Sequence, residues 1–186
     1  MIVFGVTGSI ASGKTTASYL MAGKKYPLFN ADMIVTNLYR KKKFNNILVK
    51  KFNLNSKVKV KNQIKLILEK NKNNFSKLES IIHPFVRKEM INFLKKKNKI
   101  LFLEVPLLIE KKLNKYFDKL IFVGANRGLR LKRYLKKGGN EKTFNLLDKK
   151  QLPATFKKKI CDYAFSNNYS LAILKRNVKN FMKNYE

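Results

Sequence analysis

Short apolar runs alternate with longer amphipathic segments along the whole chain. Nearly continuous apolar runs predict buried β-strands at residues 1–7, 26–30, 100–105, 119–123 and 162–166. Apolar residues that recur every three or four positions predict helices at about residues 13–22, 32–52, 61–70, 74–97, 127–136, 141–150 and 170–185. Strands of this kind, alternating with helices, predict an α/β fold in which a parallel sheet is covered by helices on both faces.

The segment between the second and third predicted strands carries only helical patterns. We interpret residues 32–99 as a helical insertion near the carboxyl ends of the strands, where open α/β sheets bind ligands. No repeat, linker or other break divides the 186 residues. The sequence therefore predicts one domain with an inserted helical region.

The residues after the first predicted strand match the phosphate-loop pattern G-x-x-x-x-G-K-[ST]. A strand precedes the match and a helix follows it, which is the context that phosphate binding requires and which argues against a glycine-rich turn without a ligand. Lys14 would reach the β- and γ-phosphates of a nucleotide, and the Thr15 hydroxyl would ligate Mg²⁺. The predicted nucleotide-binding residues are Gly8, Ala11, Ser12, Gly13, Lys14, Thr15 and Thr16.

A carboxylate follows the second predicted strand. At that place Asp32 could accept a proton from an attacking hydroxyl group or hold a magnesium-bound water. It could also cap the helix that follows, because Asp is favoured at that position. The two interpretations are compatible, and position alone does not choose between them.

Two further positions combine a polar residue with a proline. His83 is the only histidine, and a single histidine is more often structural than catalytic. The next residue, Pro84, is predicted in the first turn of a helix that continues through residue 90. Glu104 ends the third strand, which is predicted to run into a helix begun by Pro106. We interpret Glu104 as either a functional carboxylate or the partner of a nearby lysine.

Composition changes this picture only slightly. The net charge is +31, but only six of the 42 basic residues are Arg, and the Lys residues are dispersed. Dispersed Lys favours a composition bias over nucleic-acid binding, although the field would still attract anionic substrates. The lone Cys161 rules out an intramolecular disulfide and a Cys-based metal cluster, so a cytoplasmic setting is expected. No transmembrane run or signal peptide is predicted.

Taken together, these elements resemble the dephospho-coenzyme A kinases over roughly residues 1–175. The phosphate loop alone would not select a family, but the set of motifs and their order does. The matching elements are residues 5–15, Asn30-Ala31-Asp32, His83-Pro84, the segment from Val105 to Glu110, Gln151-Leu152-Pro153 with Lys157, and Cys161-Asp162-Tyr163 with Asn167.

The resemblance implies a three-layer P-loop kinase fold with a five-stranded parallel sheet. Its core would comprise residues 1–31, 100–124 and 151–186, with a helical substrate region at about 32–99 and a lid at about 125–150. It implies transfer of the ATP γ-phosphate, with Mg²⁺, to the 3′-hydroxyl of dephospho-coenzyme A, the last step of coenzyme A synthesis. The protein would act as a monomer or small homo-oligomer, without a membrane or nucleic-acid partner.

The resemblance also assigns roles to residues. Asp32 would be the base or positioning residue for the 3′-hydroxyl, and Lys14 and the lid residue Arg133 would complete the catalytic set. The acceptor site would be bordered by Asp32, His83, Pro106, Leu107 and Glu110.

Two positions depart from the family pattern. Asn30 stands where the family usually has an Asp, and Lys137 stands where a second lid Arg is common. Lys keeps the charge but loses the bidentate fork, so either catalysis is weaker or Lys136 substitutes. Two other functions stay open from the sequence: another small-molecule P-loop kinase, acting on a nucleoside, nucleotide or metabolite, and a basic nucleic-acid-binding protein whose loop is only an anion site.

Overall fold

The computed structural model describes residues 1–71 and 73–185. In these residues it contains five strands, each of which overlaps one of the predicted apolar runs. In chain order the elements are β1 (Ile2–Gly8), α1 (Lys14–Ala22), β2 (Leu28–Asn30), α2 (Ala31–Leu38), α3 (Lys42–Phe52), α4 (Val60–Lys70), α5 (Asn73–Leu94), β3 (Ile100–Glu104), a 3₁₀ turn (Asn114–Tyr116), β4 (Lys119–Gly124), α6 (Arg127–Lys136), α7 (Glu141–Lys149), α8 (Ala154–Ile160), β5 (Tyr163–Ser166) and α9 (Leu171–Met182).

The strands form one parallel sheet in the order β2-β3-β1-β4-β5. β1 lies at the centre, and its buried apolar residues suit a strand covered on both faces. In the register, Glu104 of β3 pairs with Val6 of β1 and with Asn30 of β2. The carboxyl ends of these three strands therefore meet at one edge of the sheet, beside the turn that follows β1.

Helices α1 and α9 cover one face of the sheet, with Phe4 and Phe102 stacked at 5.1 Å in that core. On the other face, a side chain on Gly5 would collide with Leu108 and Phe117, which shows how closely the segment after β3 packs there. The fold is the predicted three-layer α/β class. Among the helices of the described residues, none has the length and apolar character that crossing a membrane requires.

The chain divides into two compact units, unit 1 (Met1–Asn30 with Lys97–Glu186) and unit 2 (Ala31–Lys96). Unit 1 holds the sheet. Unit 2 holds α2 to α5 around a small core of its own, in which the Phe44 ring makes edge contacts with Tyr39 and Phe85. The other buried members of that core are Leu38, Leu48, Ile64 and Leu78.

Several predicted boundaries are wrong. The helix predicted at residues 32–52 is two helices, because the chain turns at Tyr39–Lys41 and the Asn45 side chain donates to the Tyr39 carbonyl at 2.9 Å. Pro84 lies in the interior of α5 instead of in a first turn; α5 continues through it although the missing N–H removes one helical hydrogen bond.

Two more differences lie in unit 1. The segment after Pro106 is a series of turns instead of a helix, and Lys112 takes a left-handed conformation there with φ 52°. Helix α8 was not predicted, because its seven residues are too few to display a helical period. It begins directly after Pro153, which cannot continue a preceding helix but readily starts a new one.

Candidate active site

The turn between β1 and α1 has the backbone of an anion-binding loop. Gly13 precedes α1 with φ 92°, a conformation that glycine adopts without strain, and a side chain there would collide with the Asn167 amide. A side chain on Gly8 would collide with the Val123 carbonyl. Within the described residues no side chain caps α1, so its first N–H groups can bind an anion.

Lys14 is the first residue of α1, and its side chain is buried against the loop. It is 8% exposed, and its Nζ donates to the Ser9 carbonyl at 2.9 Å. An ammonium group is costly to bury. Its hydrogen bond to the loop backbone keeps this positive charge at the turn where the sequence predicts phosphate binding.

Thr15 begins a chain of hydrogen bonds that crosses the carboxyl edge of the sheet. Its hydroxyl donates to Glu104 Oε1 at 2.7 Å, and the Asn30 amide donates to Glu104 Oε2 at 2.6 Å. Glu104 is 1% exposed. The parallel register explains the geometry, because Asn30 and Glu104 are paired at the ends of neighbouring strands.

Asn30 gains a physical explanation from this contact. An amide donates to a carboxylate, whereas an Asp at the same place would set two carboxylates against each other. The sequence predicts that Glu104 is either a functional carboxylate or the partner of a lysine, and it does not place Glu104 among the site residues. The signal that could have found it is its place at the end of the strand beside the phosphate loop.

Arg133 of α6 reaches the loop through Asn167. Its Nη2 donates to the Asn167 carbonyl at 3.0 Å, and the Asn167 amide donates to the Ser12 carbonyl at 2.8 Å. Nη1 of Arg133 is buried and has no hydrogen-bond partner within residues 1–71 and 73–185. A buried guanidinium nitrogen without an acceptor is costly, so this donor is suited to a ligand oxygen.

Arg130, also on α6, is a residue near the phosphate loop that the sequence does not predict. It is 7% exposed and pairs with Asp148 of α7 through Nη1 and Oδ1 at 2.6 Å. The arginine also reaches the phosphate loop, donating to the Ile10 carbonyl at 3.4 Å, while Gln151 accepts from the Ile10 N–H at 2.8 Å. Nothing in the local pattern of α6 distinguishes Arg130 from its basic neighbours.

The segment after β3 carries three predicted acceptor-site residues. Pro106 and Leu107 are half-buried, and the Pro106 carbonyl accepts from the Thr7 hydroxyl at 3.1 Å. Glu110 Oε1 accepts from buried Lys157 at 2.8 Å and from the Leu152 N–H at 3.0 Å. These hydrogen bonds connect the segment after β3 to β1, which precedes the phosphate loop, and to α8.

The other two predicted residues belong to unit 2. Asp32 is exposed and lies in the first turn of α2, which begins one residue earlier, so it does not stand before the helix as a cap would. Its carboxylate still suits the positive end of the helix dipole. His83 is half-buried in α5.

Next to β5, the predicted Cys-Asp-Tyr element has a structural role. Burial raises the pKa of the Cys161 thiol to about 11, so the thiol is protonated at neutral pH and unreactive. Burial acts to raise the pKa of Asp162 as well, but hydrogen bonds from the Leu120 N–H and from Lys119 outweigh it, and the pKa lies below its usual value. Asp162 thereby fastens β4 to the start of β5.

Comparisons with known proteins agree with the geometry. The family model described as dephospho-CoA kinase matches residues 2–172. A dephospho-CoA kinase of Fusobacterium nucleatum subsp. nucleatum is 32% identical over 196 aligned residues, covering 97% of this chain and 97% of that one.

Two solved structures share the fold. The crystal structure of TT1252 from Thermus thermophilus is 24% identical with a TM-score of 0.80, covering 100% of this chain and 98% of that one. Dephospho-CoA kinase from Campylobacter jejuni is 23% identical with a TM-score of 0.67, covering 98% of this chain and 96% of that one. At these identities the likeness concerns the fold, which is that of a P-loop kinase.

Proposed function

The chain belongs to the dephospho-CoA kinase family, and from that premise we propose that it transfers the γ-phosphate of ATP to the 3′-hydroxyl of dephospho-coenzyme A. It is an ATP-dependent phosphotransferase with a small-molecule acceptor. The observation that carries the proposal is the carboxyl edge of the sheet, where buried Lys14 and the Thr15–Glu104 pair lie together at the phosphate loop. A cytoplasmic location and coenzyme A synthesis as its pathway are part of the proposal.

The loop and its cations bind the nucleotide. Backbone N–H groups at the start of α1 and the Lys14 ammonium group hold the phosphates and stabilise the charge that spreads over the equatorial oxygens during transfer. Arg133 contributes a further cation through Nη1, which has no hydrogen-bond partner among the residues that the structure describes. Little covalent chemistry is needed from the protein, so positioning and charge account for most of the catalysis.

Magnesium fits the oxygen atoms at this edge. The Thr15 hydroxyl and the Glu104 carboxylate, 2.7 Å apart, are the hard oxygen donors that Mg²⁺ prefers. We assign Thr15 as a direct ligand, with Glu104 orienting that hydroxyl or joining the ion's coordination shell. The ion would supply positive charge to the β- and γ-phosphate oxygens. Among the described residues there is no cluster of three or more His, Cys, Asp or Glu side chains, so substrate phosphates and water would complete the shell.

The proposed roles of the acceptor-site residues are supported more by the family resemblance than by contacts in the structure. Asp32 is the base or positioning residue for the 3′-hydroxyl, and its exposed carboxylate at the start of α2 is suited to that role. His83, Pro106, Leu107 and Glu110 border the acceptor. Oε2 of Glu110 is buried and has no partner in the described part of the chain, which leaves it able to accept from a ligand. Residues 125–150 act as the lid.

A coupled assay of ADP release over a panel of acceptors tests the proposal. Purified protein with ATP and Mg²⁺ is given dephospho-coenzyme A, AMP, CMP or shikimate. We expect turnover with dephospho-coenzyme A at least about a hundredfold above the others, since a site built to bind one acceptor's polar groups rejects analogues that lack them. Faster turnover with any other acceptor would assign a different small-molecule kinase. Salt-dependent nucleic-acid binding without turnover would favour the basic binding protein.

A further inference from the structure

One residue of the phosphate loop is held on both sides of its peptide backbone by residues far away in the sequence. The Ile10 N–H donates to Gln151 Oε1 at 2.8 Å, and the Ile10 carbonyl accepts from Arg130 Nη1 at 3.4 Å. Arg130 lies on α6, within the segment 125–150 that is proposed as the lid. Gln151 follows α7 and comes directly after that segment.

Arg130 is itself fixed in place. Its Nε donates to the Ala125 carbonyl at 3.0 Å, and its two terminal nitrogens reach the two oxygens of Asp148 at 2.6 and 3.4 Å. The guanidinium also lies over the Phe144 ring, 5.6 Å from its centre. A buried fork with this many acceptors has one orientation, whereas a lysine at the same place could satisfy only part of them.

The backbone of the phosphate loop is strained, so contacts from outside the loop are needed to stabilise it. Ala11, directly after Ile10, takes the left-handed conformation with φ 55°, which costs energy for a residue that carries a side chain. Within the loop one backbone hydrogen bond, from Ser12 N–H to the Ser9 carbonyl at 3.2 Å, closes the turn. A strained turn persists only when its surroundings determine it. Gln151 and Arg130 supply those surroundings at Ile10, next to the strained residue, while Lys14 and Asn167 bind the carbonyls of Ser9 and Ser12.

We propose that Arg130 and Gln151 are positioning residues that hold the phosphate loop in its nucleotide-binding conformation before ATP arrives, with Asp148 fixing Arg130. Neither residue touches the phosphates in this role. Because both lie on or next to the segment 125–150, the conformation of that segment and the affinity of the loop for ATP are coupled. The inference rests on the proposed function in taking ATP as the nucleotide.

The test measures ATP binding by titration calorimetry in variants of the whole chain. Gln151→Leu removes the acceptor for Ile10 while keeping similar volume, and Arg130→Lys keeps the charge but loses the fork. For each variant we expect the Kd for ATP to rise about tenfold, the effect of losing one or two hydrogen bonds that hold the bound conformation. Exposed Arg176→Lys on α9 is the matched control and keeps the wild-type Kd.

Asp148 gives a second, independent readout. If it acts by fixing Arg130, then the double variant Arg130→Met with Asp148→Leu binds ATP no more weakly than Arg130→Met alone, because the two changes remove the same hold. The double variant also replaces the Arg130–Asp148 ion pair by apolar groups, whereas Arg130→Met alone leaves Asp148 with exposed Arg127, whose Nε lies 3.6 Å from Oδ2, as a remaining partner. If Arg130→Met alone does not fold, the double variant is compared with wild type, and the expected result is the same rise of about tenfold in the Kd for ATP. Additive losses in the folded variants would overturn the role of Asp148.

Kinetic constants separate positioning from a purely structural role. In the positioning role, KM for ATP rises about tenfold while KM for dephospho-coenzyme A stays within about twofold. Lower thermal stability with an unchanged Kd for ATP would overturn the inference and leave the proposed function standing. Calorimetry requires no acceptor, so the two proposals can fail separately. A wild-type protein that binds ATP but does not phosphorylate dephospho-coenzyme A would overturn the proposed function. The Kd values of the variants would still decide the positioning role.

Discussion

In the phosphate loop, backbone groups are held by side chains more than a hundred residues away, whereas the helices of unit 2 are held together mainly by apolar packing. Ile10 and Ser12 are bound by Gln151, Arg130 and Asn167. The core of unit 2 is a cluster around Phe44 and Leu48. Directed polar contacts fix positions to a fraction of an ångström, while apolar contacts tolerate repacking.

This difference fits what each unit is proposed to do. Phosphoryl transfer needs fixed donors, because charge stabilisation falls steeply when a group is displaced. A helical substrate region needs only a stable scaffold for a few exposed groups such as Asp32.

The largest effect is expected from the core of unit 2. Phe44→Ala should lower the free energy of unfolding by about 3–5 kcal/mol, because the ring is 1% exposed and the cavity cannot be refilled. If unit 2 is stabilised separately, then ATP binding at the loop should stay within about threefold of wild type, as a change of well under 1 kcal/mol. Chemical denaturation and ATP calorimetry measure the two quantities.

The control for Phe44→Ala is Leu66→Ala on α4, whose side chain is 57% exposed and should change stability by less than about 0.5 kcal/mol. Equal losses of stability and of ATP binding in Phe44→Ala would contradict the contrast, since they would show that the loop depends on the core of unit 2.

Lys14→Ala removes the principal cation of the loop. We expect the fold to persist and turnover to fall at least about a hundredfold, because a preorganised charge at the transferring phosphoryl group is lost. Steady-state kinetics measures the loss, and circular dichroism checks the fold. Exposed Lys24→Ala should keep wild-type turnover, which controls for the change in net charge. Near-normal turnover in Lys14→Ala would remove Lys14 from the catalytic set.

Asp32→Asn tests the one proposed catalytic group in unit 2. Asn can still position the 3′-hydroxyl by a hydrogen bond, but it accepts a proton poorly, so we expect turnover to fall about tenfold to thirtyfold. This loss is smaller than the full contribution of a general base, because phosphoryl transfer depends mainly on positioning and charge. The Kd for ATP should stay within about twofold of wild type, because Asp32 is proposed to act on the acceptor hydroxyl and not on ATP. A change in ATP affinity with normal turnover would speak against a base or positioning role for the 3′-hydroxyl.

The same contrast explains how much the sequence could predict. The loop motif is local: its glycines, Lys14 and Thr15 are read directly from spacing, and the strand before it is continuously apolar. Arg130 and Asp148 could not be found in this way, because each looks like a surface residue of an amphipathic helix. Their pairing depends on how α6 and α7 pack, which is tertiary information.

In unit 2 the helices were predicted but their boundaries were not. The break between α2 and α3 depends on the Asn45 side chain binding the Tyr39 carbonyl, a contact that competes with a continuous helix. The position of Pro84 was also misjudged, because proline in the first turn is common and a helix that runs through proline must offset a lost hydrogen bond by packing. Patterns of period alone do not carry that information.

The smallest effect is expected at a polar contact far from the chemistry, Asp162→Asn. Its pKa is lowered in the folded state by the Leu120 N–H and Lys119, so its contribution is present above the unfolded value of about 3.9 and is lost as pH falls through the folded value. The pKa of its exposed partner Lys119 is raised by the hydrogen bond to Asp162, so the contribution also fades above about pH 10.

Between about pH 5 and pH 9, wild type should therefore be more stable than Asp162→Asn, by a small margin because the ion pair is screened by solvent. The difference should vanish as the pH falls through the lowered pKa of Asp162 in the folded state, and thermal melts at a series of pH values measure it. The exposed variant Glu141→Gln, which removes one negative charge elsewhere, should show no such profile. A stability difference that is constant with pH would mean that Asp162 acts through packing and not through its charge. The contact between β4 and β5 would then be stabilised in the same way as the apolar core of unit 2, and not by directed polar contacts as in the phosphate loop.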